Sequence, residues 1–549
     1  MNKLLSLLFC MACLQAQAQT VGLFYNLPGA ESGYVLFAPG QSDTTYLIDK
    51  CGKKIHQWAS SLHPGLTVNL EEDGTLLRCN NVNNGQFPAG GSGGNIEKLG
   101  WDSEVLWSYD IADINQCQHH DAIQLPNGNI MAIVWESHTK TDAQANGRVT
   151  MGSKMWSEKI IEIQPVGTDS GVIVWQWRAW DHLVQDADSL KPNYGVVADH
   201  PELLNINMGE LNVSTADWLH FNSLDYNAAL DQVMVSSHEV CEVYIIDHST
   251  TMEEAASHSG GNSGRGGDLL YRWGNPQNYG RGTAADQKFF EQHNLRWISA
   301  DGQVMVFNNG VGRPGNDYST VETFTLPAMI DNNYPIEPDS AFKPTAQDWI
   351  YTANPPLSLF SIVQGGAQRL PNGNTLICSG TEGEFTEIDA AGTLLWKYVN
   401  PVDKTHILSQ GETPFLNDCF RAMYYPSYYP GLAGKILTPG APIEVNPDTY
   451  DCDNFPTAVV TAEVMQDEIS VYPDPFINTF SIHLPATLQD GSLQVHDIMG
   501  RPLYEAKNIS FTAHTDPVIT LTGQHKGMLI VTVRDKEGSC FFQTTVIAQ

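Results

Sequence analysis

Positive charge is scarce in this chain. Lysine and arginine number 29 against 62 aspartates and glutamates, a formal net charge of −33. With no local basic patch in view, nucleic acid and anionic membrane surfaces are poor partners for it. Long apolar runs are missing as well. The one candidate, Leu4 to Leu14, is shorter than the about 20 residues that a bilayer crossing needs, so no transmembrane segment is expected. Zinc spacing is absent too, with neither a Cys-x-x-Cys nor a His-x-His cluster, so no metal site is expected. A hydrophobic content of 42 % against 17 % charged residues still describes a chain that folds.

The first residues read as an address. Lys3 precedes the apolar run, and Ala16-Gln17-Ala18 supplies a small-x-small cleavage pattern, giving a secretory signal over residues 1–18. Past it stand eight cysteines, at 51, 79, 117, 241, 378, 419, 452 and 540, in what should be an oxidising compartment. Cys419 and Cys452 could close a loop at the end of the main domain, although spacing alone does not fix the pairing.

What is abundant is repetition. Leu125-Pro126-Asn127-Gly128-Asn129 returns as Leu370-Pro371-Asn372-Gly373-Asn374, each inside a larger module. One strand of the module recurs six times, at Tyr46–Asp49, Asn95–Leu99, Ile160–Ile163, Val243–Asp247, Val321–Phe324 and Phe385–Asp389. A turn and a Trp-bearing strand follow most copies, with Trp58, Trp107, Trp175, Trp273 and Trp396. Short strands, polar turns and one aromatic per unit predict an all-β chain, a six-bladed β-propeller over residues 19–453. The aromatic tail Asn417 to Pro426 is expected to complete the last blade.

A composition shift marks a linker at 454–467. Beyond it, Tyr472-Pro473-Asp474-Pro475-Phe476 and Asp497-Ile498-Met499-Gly500-Arg501 resemble the C-terminal sorting domain of the type IX secretion system of Bacteroidetes. That resemblance implies a small β-sandwich over 468–549, the secretion machinery as a partner, and export to the cell surface or medium.

Function must come from the propeller channel, since the fold hosts many activities. Each Trp strand leads back to the innermost strand of the next blade, whose start rings the channel. Counting back five from Leu125 gives His120; the same count from Ile298 gives His293; and Trp218-Leu219-His220 supplies His220. Three histidines thus share one register, suited to nucleophilic and proton-transfer work. In the last copy the place is Gly365. Twenty residues after His293, Phe307-Asn308-Asn309-Gly310-Val311-Gly312-Arg313 offers a planar cation for a tetrahedral oxyanion. Asn222, Asn309 and Gln368, close to these in sequence, are the expected substrate-binding residues.

At these residues the chain resembles the bacterial arylsulfate sulfotransferases over roughly residues 30 to 440. Tyr271-Arg272-Trp273-Gly274-Asn275-Pro276, Gln292-His293-Asn294 and Phe307-Asn308-Asn309-Gly310 carry the likeness. It implies a ping-pong transfer of a sulfuryl group from an aryl sulfate to a phenol through a sulfohistidine, with no nucleotide donor and no cofactor. His220, His293 and Arg313 match the family's channel residues, while the later blade that should hold the sulfated histidine has Gly365. The nucleophile is then His120, His220 or His293, or the protein binds aromatic or sulfated ligands without catalysis.

Overall fold

A computed structural model describes residues 19–209, 216–299, 302–447 and 452, and the strands of the C-terminal region together with Leu521. The chain divides into two compact units, residues 1–453 and 454–549. The leader at 1–18 and the linker at 454–467 lie outside the described residues.

The first unit is propeller-like. Among its described residues the strands form six antiparallel sheets of four strands, the sixth carrying a fifth strand, and one short parallel pair, Leu183–Val184 with Leu204–Asn205. The six recurring segments are the third strand of each sheet in turn, and the Trp segments are the fourth. The fifth sheet has Trp349 in that place, on Trp349–Thr352, after a longer connection that hid it from the repeat. Fourth-strand tryptophans pack inward between sheets, with Trp58 and Trp396 fully buried. Large aromatic area removed from water is what holds such sheets together.

The repeated Leu-Pro-Asn-Gly-Asn phrase is the turn between the innermost and second strands. Its glycine needs a left-handed backbone, φ 85° at Gly128 and 91° at Gly373, which side chains disfavour. Its asparagines reach the third strand: Asn127 and Asn129 donate to Glu162, and Asn374 donates to Glu387. The phrase is therefore both a turn and a clamp.

Six innermost strands neighbour one another in a closed circuit: His63–Leu70, Gln116–Gln124, Phe221–Asn227, His293–Trp297, Gly366–Arg369 and Cys419–Tyr425. Side chains stitch the circuit. Asp121 accepts from Leu224 N–H, Ser223 from Leu295 N–H, Asn294 from Ala367 N–H and Gln368 from Tyr424 N–H. These bonds occupy backbone donors that a sheet edge would leave bare.

Both chain ends of this unit close the circuit. The tail strand Cys419–Tyr425 pairs with Tyr34–Pro39, so it completes the first sheet and not the last. The last sheet takes its extra strand, Gly22–Asn26, from the N-terminal side. Cys452 is bonded to Cys51, not to Cys419, which is a buried free thiol. Nearness in sequence was the wrong guide because the first and last sheets are neighbours in space.

In the second unit, Ser470–Tyr472, Thr479–His483 and Val518–Thr520 make one sheet, and Leu488–Asp497, Pro502–Phe511, Gly527–Arg534 and Cys540–Ala548 another. Phe480, Ile482 and Ile519 of the first share a core with Leu493, Val495, Leu529, Val531 and Val533 of the second.

Candidate active site

Innermost strands do not run straight through the channel. Five of the six carry a register shift against their second strand, the exception being Gly366–Arg369. Such bulges bend a strand and re-aim its side chains. Around them the backbone turns left-handed at Leu66, His120, His220 and Asn294 (φ 92°, 49°, 51° and 51°). Residues other than glycine are uncommon there, and such strain clusters at functional sites.

The bulges bring the three predicted histidines together. His120 and His220 lie edge to face with ring centroids 4.5 Å apart. His238 stands between His220 and His293, at 5.0 and 5.3 Å. Phe420 flanks both His120 (6.0 Å) and His293 (6.3 Å). His238 was missed because it follows the second strand of its sheet, outside the register used to find the others. Its one signal is the hairpin: Phe221, next to His220, pairs with Ser237, next to His238.

Each predicted histidine has a different partner behind it. His220 Nδ1 donates to Asp217 at 2.5 Å. Burial opposes its cation, but the Asp217 carboxylate prevails and raises it to about 9. His293 Nδ1 lies 2.8 Å from Asn309 Oδ1. Asn309 spends its amide hydrogens on Ser361 and Gln364 carbonyls, so its oxygen accepts and His293 Nδ1 must donate. Gln364 N–H faces His293 Nε2 at 3.3 Å.

His120 stands at the end of a relay. Its Nδ1 is 2.8 Å from His119 Nδ1, and His119 Nε2 is 2.8 Å from Glu158 Oε2. His119 is stacked on Trp135 at 3.9 Å and fully buried. Burial, then the Asp217 charge, lifts Glu158 well above the usual carboxylate range. Burial, followed by the neighbouring imidazoles, holds His120 and His293 well below the usual histidine range. One wall of the ring is thus a carboxyl that keeps its proton, and the next an imidazole that keeps its charge. The other oxygen of Glu158 accepts from Phe221 N–H at 3.0 Å, fastening the relay to the residue after His220.

The remaining expected residues lie elsewhere or serve the frame. Arg313 stacks on Tyr318 at 4.2 Å and donates to Thr320 Oγ1 at 3.1 Å, contacts that lie on its own loop and the third strand. It hangs from the same Asn308-Asn309-Gly310 turn whose Asn309 fixes His293. Asn222 is the extra residue of its bulge and donates to Gln292 O at 2.7 Å. Gln368 bridges to Tyr424 with both side-chain atoms. It also lines a cavity of about 630 Å³ shared with Arg296, Arg369 and Tyr424. That cavity is walled by the ends of the innermost strands, whereas the histidines stand toward their starts. Gln368 follows the register position, Gly365, by three residues and stands at the cavity end of its strand. Arg421 is committed to Asp121 at 2.8 Å.

A propeller-like unit with clustered channel histidines, joined in one chain to a C-terminal β unit, defines the class. The chain belongs to the arylsulfotransferase (ASST) family, whose model matches residues 104–412. A secretion system C-terminal sorting domain of the type IX system matches residues 470–547, which marks the chain for export to the cell surface or secretion. No helix among the described residues is long and apolar enough to cross a membrane. No curated protein matches. Among solved structures, a protein of unknown function from Bacteroides caccae is similar at 11 % identity, covering 72 % of this chain and 99 % of that one, TM-score 0.40. A catalytically inactive virginiamycin B lyase from Staphylococcus aureus with quinupristin is similar at 10 %, covering 69 % and 89 %, TM-score 0.32. Scores this low carry no functional argument.

Proposed function

We propose that the six sheets are the blades of a propeller, the C-terminal pair a β-sandwich, and the histidine ring a sulfuryl-transfer site taking aryl sulfates as donors and phenols as acceptors. The observation that supports this best is the pairing of His220 and His120, adjacent rings with opposite proton accounts. His220, oriented by Asp217, is the nucleophile through Nε2; the carboxylate stabilises the imidazolium as it forms. His120 is the acid and base, supplied by His119 and Glu158.

Neutral His220 Nε2 attacks sulfur while the sulfur–aryl oxygen bond breaks. The departing oxygen takes the His120 Nε2 proton. His120 Nδ1 recovers one from His119, and His119 Nε2 takes the Glu158 proton, leaving a carboxylate. In the second half, the acceptor phenol gives its proton to His120, the relay runs backward to Glu158, and the phenol oxygen displaces the histidine nitrogen. Phe420 supplies an apolar wall for an aryl ring. Arg313, once off Tyr318, would meet the sulfuryl oxygens from the His293 loop, where its planar fork counts most. His293 holds that loop to the last blade.

The rival reading is a non-catalytic surface binder of aromatic or sulfated ligands, favoured by Gly365 standing where a histidine is expected. Incubation with a chromogenic aryl sulfate, with and without a phenol, separates the two. Phenol-dependent release with a sulfuryl adduct on the His220 peptide supports transfer; binding without release supports the rival.

A further inference from the structure

Away from the channel, three ligand-type side chains converge: His182, His258 and Asp268, with one ligand atom from each within 4.8 Å of the others. His182 follows the fourth strand of the third sheet. His258 and Asp268 flank a glycine-rich connection between the last two strands of the fourth sheet, far from His182 in sequence. No zinc motif was readable for that reason.

The hydrogen bonding of His182 leaves room for an occupant. Its Nε2 lies 2.9 Å from the Ala255 carbonyl, which only accepts, so Nε2 carries the proton. A neutral ring then turns its Nδ1 lone pair on an Asp268 oxygen 2.8 Å away. His258 Nδ1 approaches that same oxygen at 2.7 Å. Two ring nitrogens converge on one carboxylate oxygen, and the His182 lone pair needs a proton or a cation between it and that oxygen. A metal-bound histidine usually donates its other ring N–H to a carbonyl or carboxylate, as His182 does.

The surroundings are built to hold the ring. His182 is fully buried, parallel to Trp177 at 5.6 Å, and Trp177 Nε1 donates to Gly267 O at 2.7 Å. A methyl group at Gly267 would fall 2.6 Å from His182 Nε2 and 2.0 Å from Ala255 O, so only glycine lets the connection close over the imidazole. The His258 side chain is 62 % exposed, leaving an entry path.

We propose that His182 Nδ1, His258 Nδ1 and the Asp268 carboxylate hold a zinc-class divalent cation, with water at a fourth position. Two imidazoles and one carboxylate suit zinc in a tetrahedral site. The ion clips the third sheet to the fourth and secures the connection around His258. The ion stands apart from the channel histidines and takes no part in their transfer chemistry.

The test uses the full-length untagged protein, stripped with a chelator and titrated with cobalt and then zinc. About one ion per chain should bind, with the visible bands of a four-coordinate cobalt site. His258→Ala and Asp268→Asn should each weaken binding by at least about 10- to 100-fold, the loss that even outer-shell changes bring. His258→Ala alters an exposed side chain, so its melting in chelator should equal that of the parent. Parent protein binding no more metal than His258→Ala would overturn the proposal, and so would undiminished affinity in both variants. His182 would then be a doubly protonated partner of Asp268 and nothing more.

Discussion

In the third, fourth and fifth sheets, the innermost strand meets the channel with His120, His220 and His293. In the sixth, first and second, the corresponding places hold Gly365, Phe420 and Leu66. The backbone is similar in both halves: bulges at five of the six strands and left-handed residues at several. What differs is the second layer. Asp217, His119 with Glu158, and Asn309 stand behind the histidines, whereas Phe420 and Leu66 present apolar surface. One half of the ring is thus suited to move protons and the other to hold a ring of carbon. Repetition built the pedestals, and departures from repetition supplied the chemistry.

The largest expected effect falls on the histidine half. His220→Ala should abolish both transfer and the sulfuryl adduct, measured by phenol-dependent turnover and by mass spectrometry after denaturation at high pH. In the parent protein, transfer should climb with pH and level near 9, where His220 loses its proton. Stability follows the opposite sense. A raised histidine stabilises fully below its unfolded value of 6.5, and that contribution is lost as pH rises through about 9. An adduct found on His120 or His293 would exchange their roles with His220.

Glu158→Gln should lower transfer by about 10²- to 10⁴-fold, the usual worth of acid–base assistance. The loss should be greatest for donors with poor leaving groups and slight for nitrophenyl sulfates. Equal loss across donors, read from a leaving-group series, would reduce Glu158 to a packing residue.

Arg313→Ala should cost on the order of 100-fold in turnover, and Arg313→Lys should not restore it, because a point charge does not replace the fork. Near-parent rates in both variants would leave Arg313 on Tyr318, outside the chemistry.

The smallest effect concerns the second unit. A chain ending at Asp467 should keep its transfer rate, since every ring residue lies before Asp453. A large fall in rate or melting temperature would show that the C-terminal unit supports the site.

Much of the fold was legible because it repeats. All six third strands and five tryptophan strands stood in the sequence, and the register count placed three histidines on one ring. The count found His120 and His293 because bulged strands still keep their spacing to the turn. Gln368 lies three residues past the counted position, Gly365, and sequence nearness did not say which end of the strand it lines. His119, although adjacent to His120, shows its relay only once Glu158 of another strand is beside it. His238 and the His182, His258 and Asp268 cluster were invisible for the same reason.

The sequence by itself determined the module, the strand order and the residue types available to the channel, because local patterning and turn chemistry act over a few residues. Only the tertiary structure decided which strand closed the first sheet, which cysteines met, and which carboxyl stood behind each histidine. Those outcomes depend on burial and on contacts between residues far apart in the chain: burial holds His120 low, whereas the Asp217 carboxylate overrides burial and raises His220.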